Sequence, residues 1–144
     1  MRVYLDNCCY NRPFDDQNQL KIAIESAAKL EIQAQMRSGA LEYVWSDELD
    51  VEVGDSQFFD RQEKILPWRD GAVVHVTITS GIESRAIELM RLGIKSADAL
   101  HLACAESAGC DWFFTTDRGI LKKVQNLGLM RVANPTAYIQ EDMI

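Results

Sequence analysis

Hydrophobic and polar positions along the chain follow two periods, a short one that suits strands and one of 3.6 residues that suits helices. Residues 2–5, RVYL, place β-forming side chains in a row that stops at Asp6-Asn7 and predict a first strand. From 19 to 37, Leu20, Ile24, Ala27, Ala28, Leu30, Ile32, Ala34 and Met36 recur at helical spacing until Ser38-Gly39, which predicts a long amphipathic helix. LEYVW at 41–45 predicts a second strand, and Ser46 with Asp47 and Glu48 behind it reads as the capped start of a second helix. Residues 54–71 are polar, with anchors at Phe58, Phe59, Ile65 and Trp68, and predict a helix ending near Pro67. A third strand follows at 72–78, a helix over 80–92, and then a helix capped by Ser96 that is apolar around most of its circumference. DWFFTT at 111–116 is a fourth strand and Asp117 caps a helix carrying Ile120, Leu121 and Val124. LMRVA at 129–133 is a fifth strand closed by Asn134-Pro135.

Strands that alternate with helices, with apolar rather than alternating runs in the third and fourth, predict a mostly parallel sheet covered on both faces. The expected fold class is α/β, a three-layer α/β/α sandwich with a central, mostly parallel sheet of about five strands. The 144 residues suit a single domain over 1–144, without internal repeat or linker. No apolar run approaches the roughly 20 residues that span a membrane, and MRVYLDNCCYNRP lacks a signal-peptide core, so a cytoplasmic protein is expected. Cys8, Cys9, Cys104 and Cys110 match neither a zinc spacing nor a secreted disulfide framework and read as reduced thiols. A net charge of -7 argues against charge-driven nucleic-acid binding over a broad surface. It leaves room for an acidic cluster masked by a divalent metal.

Sites in open parallel sheets gather at the carboxyl ends of the strands, and four acids can reach that edge. Asp6 follows strand one and Asp117 follows strand four; a strand-end turn and an N-cap are their ordinary alternatives. Asp98 stands in the first turn of the apolar helix. The helix dipole favours an acid there, but burial of its carboxylate costs several kcal/mol unless a cation or donors compensate. Among Asp47, Glu48, Asp50 and Glu52, Glu52 lies about 60° from Leu49 and flanks the Leu49/Val53 stripe while Asp50 points elsewhere, and the pattern favours Glu52 over Glu48. His101, one turn after Asp98, and His75, inside a strand, read as hydrogen-bonded core residues. Thr116 beside Asp117 and Asn7 beside Asp6 offer polar groups that could bind a phosphate oxygen or a water. Four carboxylates without a histidine or cysteine ligand favour Mg²⁺ or Mn²⁺ over zinc. Such ions clamp phosphate oxygens, and the natural chemistry is hydrolysis of a nucleic-acid backbone.

The set VYLDNCC, WSDELDVEV, SADALHLACAE and DWFFTTDRGILKK, in this order, resembles the PIN-domain nucleases, the fold of many bacterial toxin ribonucleases of toxin–antitoxin pairs. The most specific piece is an Asp-Ala-Leu helix start followed by a strand ending in Thr-x-Asp or Thr-Asp. The resemblance implies that Asp6, Glu52, Asp98 and Asp117 are the catalytic acids and that Asp6, Asp98 and Asp117 hold the metal. Asn7 and Thr116 are the implied helpers. It further implies an RNA substrate, an antitoxin partner and a homodimer. The chain departs from the family at Cys8 and Cys9, where an Asp-x-Asn pattern is common, and at Arg118, where a further acid is common. A weaker second metal position follows, or a contact from Arg118 to a substrate phosphate.

The leading reading is a Mg²⁺- or Mn²⁺-dependent ribonuclease, with Glu52 orienting or deprotonating the attacking water. Its rival is a PIN-like binding or interaction module with weak or no nuclease activity. An aspartyl-phosphate phosphatase would need a second acid two residues after Asp6, where Cys8 stands.

Overall fold

In the computed structural model, which describes residues 1–142, β1 (Arg2–Leu5) runs through the middle of the sheet, and Val3, Tyr4 and Leu5 are fully buried. Such a strand is apolar on both faces because helices cover both. The chain continues through α1 (Asn7–Asn11), α2 (Leu20–Ser38), β2 (Glu42–Ser46), α3 (Asp47–Gly54), α4 (Phe59–Ile65) and β3 (Val74–Val76). It then forms α5 (Ser80–Met90), α6 (Ser96–Ser107), β4 (Trp112–Phe114) and α7 (Arg118–Lys123). β5 (Asn126–Leu127), β6 (Met130–Ala133) and α8 (Pro135–Asp142) follow.

The sheet order is β3-β2-β1-β4-β6-β5, and every pairing is parallel except the β5–β6 hairpin. From β1 the chain steps outward to β2 and β3, then crosses back to β4 on the other side of β1. With right-handed crossovers, this reversal sends the connections to opposite faces of the sheet. The switch point lies between β1 and β4, where Leu5 pairs with Phe114, and there the carboxyl ends of two adjacent strands open a crevice. The expected α/β/α arrangement is thus present, with six strands rather than five. The extra one is the two-residue β5, joined to β6 through Gly128, whose φ of 60° suits a tight hairpin turn.

Four expectations change. The segment 54–71 forms α4 and then a 3-10 turn over Leu66–Gly71. Pro67 removes a helical N–H there, and the Tyr43 hydroxyl donates to the Trp68 carbonyl. Strand three is short and lies at the sheet edge, where His75 is exposed rather than in the core. Helix α6 begins after Lys95, without a side-chain cap, so Ser96 is its first residue. Asn134-Pro135 ends β6 but also opens α8, because Asn134 Oδ1 accepts the Thr136 N–H at 3.0 Å and proline suits a first helical position.

Helix α2 carries an inverted face. Ala28, Ile32 and Met36 are buried, but so are Glu25, Ser26, Lys29 and Gln33, while Leu20, Ile24 and Leu30 are 75%, 51% and 52% exposed. Glu25, Ser26 and Lys29 turn inward where partners await them, Ser26 Oγ donating to the Arg12 carbonyl at 3.0 Å. Glu25 pairs with Arg12 at 3.2 Å and accepts from Asn134 Nδ2 at 2.5 Å, and Lys29 lies over the Tyr10 ring.

Candidate active site

Asp6 leaves β1 directly at the switch point, its backbone N–H donating to the Phe114 carbonyl of β4 at 2.9 Å. Its carboxylate is almost fully buried. Oδ1 accepts the Asn7 N–H at 2.8 Å and caps α1, while Oδ2 accepts from the Thr115 hydroxyl at 2.9 Å and from the Cys8 thiol at 3.4 Å. Burial raises the Asp6 pKa, His101 and Thr115 pull it back down, and the charge of Glu52 raises it again. The same Thr115 oxygen accepts the backbone N–H of Asp117 at 3.1 Å, so one buried hydroxyl ties the two strand ends together.

Asp117 caps α7, with Oδ1 accepting from Gly119 N at 2.7 Å and Ile120 N at 3.2 Å. Its second oxygen accepts no hydrogen bond among the described residues. Asp117 shares a small cleft with Asp98, Lys95 and Lys123. Asp98 projects from the first turn of α6, and its pKa is pushed up to about 6, first by burial and then by the charges of Asp6, Asp117 and Glu52. The sheet edge and the start of α6 therefore bring Asp6, Glu52, Asp98 and Asp117 within electrostatic reach of one another.

Glu52 sits in α3, whose Leu49 and Val53 are buried, as the periodicity predicted, and whose start is capped by Ser46 Oγ accepting from Leu49 N at 3.2 Å. Glu52 Oε1 lies 3.0 Å from His101 Nε2, and Asp6 Oδ1 lies 3.8 Å from the same atom. Glu48 is near enough for His101 to lower its pKa and Glu52 to raise it, although burial dominates and raises it overall.

His101 is fully buried, yet it belongs to this acidic cluster as much as to the core. Its Nδ1 is 2.6 Å from the Tyr4 hydroxyl, which is itself 2.6 Å from Ser46 Oγ. Burial works against charging the ring, but Glu52, Asp6 and Glu48 outweigh it and raise the pKa.

The helpers fall differently from their sequence order. The hydroxyl on Asp6 belongs to Thr115, whereas the Thr116 hydroxyl accepts from Arg12 Nη2 at 2.8 Å. Asn7 Oδ1 accepts from Asn11 Nδ2 at 3.0 Å, and Arg118 is exposed at the start of α7. Thr115 carries a signal in the sequence, since it stands two before Asp117 as the Thr of a Thr-x-Asp strand end. No local pattern marks His101, because its role depends on Glu52 and Asp6 arriving from other elements.

A cation fits this donor set. Among the described residues, none of Asp6, Glu52, Asp98 or Asp117 pairs with a lysine or arginine, and His101 is their one ion-pair contact. The charge of Glu52 raises the pKa of Asp6, and those of Asp6, Asp117 and Glu52 raise that of Asp98, a clustering of negative charge that a hard divalent ion would compensate. The exposed group Asp47, Asp50 and His75 differs, because it is satisfied internally. His75 Nε2 lies 2.8 Å from Asp47, Asp50 accepts from Trp45 Nε1 at 2.8 Å, and Arg69 lies 3.5 Å from Asp50.

The PIN domain family model matches residues 58–127, a span that holds Asp98 and Asp117 but not Asp6 or Glu52. The fold is similar to that of a chain in the crystal structure of VapBC2 from Rickettsia felis bound to a DNA fragment from their promoter. There the identity is 13%, the TM-score is 0.55, and the likeness covers 93% of this chain and 98% of that one. It is also similar to a chain of FitAcB from Neisseria gonorrhoeae, at 16% identity and a TM-score of 0.56, over 93% and 98% of the two chains. No curated protein matches the sequence significantly.

Proposed function

We propose, from the premise that this chain is PIN-like in motif and in fold, that it is a metal-dependent ribonuclease and the toxin of a toxin–antitoxin pair. The observation that carries the reading is the electrostatic coupling of Asp98 to Asp6, Asp117 and Glu52 at the carboxyl end of the sheet, without a lysine or arginine ion pair to any of the four among the described residues. Asp6, Asp98 and Asp117 would hold Mg²⁺ or Mn²⁺. When bound, the ion supplies positive charge to the phosphodiester and acidifies the attacking water.

The chain's own groups do the rest. Glu52 turns Oε1 to His101, which leaves its other oxygen to orient the water and take its proton. Thr115 fixes Asp6 in place by a charge-assisted hydrogen bond. Arg118, exposed beside Asp117, is the substrate contact the geometry leaves most open, while Asn7 and Thr116 already spend their side-chain oxygens on Asn11 and Arg12.

The exposed Leu20, Ile24 and Leu30 of α2 support a protein partner, either an antitoxin or a second copy of the chain. No helix among the described residues is long and apolar enough to cross a membrane. The test is cleavage of single-stranded RNA by the purified protein with Mn²⁺ or Mg²⁺. The proposal expects cleavage that EDTA abolishes and that Asp98→Asn lowers about 100-fold or more. Equal cleavage in EDTA would refute the mechanism, and absence of cleavage with intact metal binding would favour the binding-module reading.

A further inference from the structure

The proposed function leaves His101 as a bystander, yet its surroundings are those of a ligand. Nε2 has no solvent exposure and no hydrogen-bond partner, although carboxylate oxygens of Glu52 and Asp6 stand 3.0 and 3.8 Å away. The contact to Glu52 is close but not aligned as a hydrogen bond. On the far side of the ring, the Tyr4 hydroxyl stands between Nδ1 and Ser46 Oγ, at 2.6 Å from each, and Ser46 Oγ also accepts the Leu49 N–H.

If Nδ1–H donates to Tyr4 and Tyr4 donates to Ser46, Nδ1 and the Tyr4 hydroxyl are both satisfied and the Nε2 lone pair faces two carboxylates. A bare lone pair facing two anions in a buried site is repelled, and either a proton on Nε2 or a metal ion in its place relieves it. A ring whose outer nitrogen is held by a hydrogen bond, while its inner nitrogen faces carboxylates, has the arrangement of a metal-bound histidine. We infer that His101 Nε2 is a nitrogen ligand of the metal centre, joining Asp6 Oδ1 and Glu52 Oε1, and that the site therefore prefers Mn²⁺ to Mg²⁺.

The preference follows from donor chemistry. Mg²⁺ is bound through oxygen and keeps much of its water, whereas imidazole suits first-row transition ions. The expected outcome is an affinity for Mn²⁺ at least about 10-fold above that for Mg²⁺. This rests on the metal-dependent reading above and assigns the ligand that sets its ion.

The experiment is pulsed electron paramagnetic resonance of Mn²⁺ bound to the full chain carrying His75→Gln. The protein has two histidines, so this substitution leaves His101 as the only imidazole. Nitrogen modulation that changes when histidine side chains are labelled with ¹⁵N supports the ligand. The modulation is expected to be absent in the His75→Gln, His101→Gln double variant, and the labelled single variant decides the matter if that double variant does not fold. Stoichiometric Mn²⁺ binding with no histidine modulation overturns the His101 assignment and leaves the nuclease reading standing. No binding at millimolar Mn²⁺ by a folded protein overturns both.

Discussion

The Thr115 hydroxyl donates to Asp6 Oδ2 across 2.9 Å, joining residues 109 positions apart in the chain. The bond fixes a nearly buried carboxylate whose other oxygen is already used as a helix cap. Removing it frees Asp6 to rotate and strips a donor from its charged form. Thr115→Val is expected to weaken Mn²⁺ binding about 10- to 100-fold, as loss of a group that orients a metal ligand does. Thr116→Val, whose hydroxyl faces Arg12, is expected to change it less than about 3-fold. Titration calorimetry of the two variants side by side checks this, and equal losses would contradict it.

Asp98 makes the metal-free protein sensitive to pH. Its pKa is about 6 in the fold, against about 3.9 in an unfolded chain, so between these values the folded state binds the extra proton. Stability contributed by this group therefore falls as pH rises from about 4 to about 6, and the full penalty stands above that. Asp98→Asn removes the penalty. In EDTA at pH 7.5 the variant is expected to exceed the wild type by on the order of 1 kcal/mol, a value reduced for solvent screening of a half-buried group. The difference should vanish near pH 4. Urea denaturation at the two pH values measures it.

Metal binding should show the reverse slope. Ligand acids must be deprotonated to bind an ion, so Mn²⁺ stabilises the protein more at pH 7.5 than at pH 5. At 100 times its dissociation constant the ion adds about 2.7 kcal/mol to unfolding stability. Thermal melts with and without Mn²⁺ at the two pH values test this, and a shift that does not grow with pH would speak against a carboxylate site.

Glu25 is 2% exposed and holds both Arg12 and Asn134. Glu25→Ala leaves Arg12 facing a void and is expected to cost about 3–5 kcal/mol, the range for breaking one side of a buried ion pair. Because Arg12 also binds Asp15 and Thr116, the lower end of that range is expected. Chemical denaturation reads this directly.

Much of the fold could be read from the chain because its strongest signals are local. The run Val3-Tyr4-Leu5 and the apolar β4 mark central parallel strands, and Ser46 and Asp117 cap the helices that follow their strands. Asp6, Glu52, Asp98 and Asp117 could be selected because each stands where a strand end or a buried helix face makes an acid conspicuous. The rest depends on partners far off in sequence. Helix α2 buries Glu25 and Lys29 against Arg12, Asn134 and Tyr10, so its periodicity indicates a helix but not which face turns inward. His75 looked internal because its strand reads as apolar, but an edge strand leaves one flank in water. Thr115 and Thr116 are equivalent to any propensity scale, and the alternation of the strand decides which of them meets Asp6.

The parallel pairing of β1 with β4 also bears on synthesis. Asp6 is made well before the strand that positions it, the hydroxyl that holds it and the acid that completes the set, which come from residues 112–117. A chain that stops short of β4 has Asp6, Glu52 and Asp98 but neither the strand beside β1 nor Asp117. For a protein proposed to destroy RNA, this topology ties assembly of the site to the synthesis of β4 and Asp117.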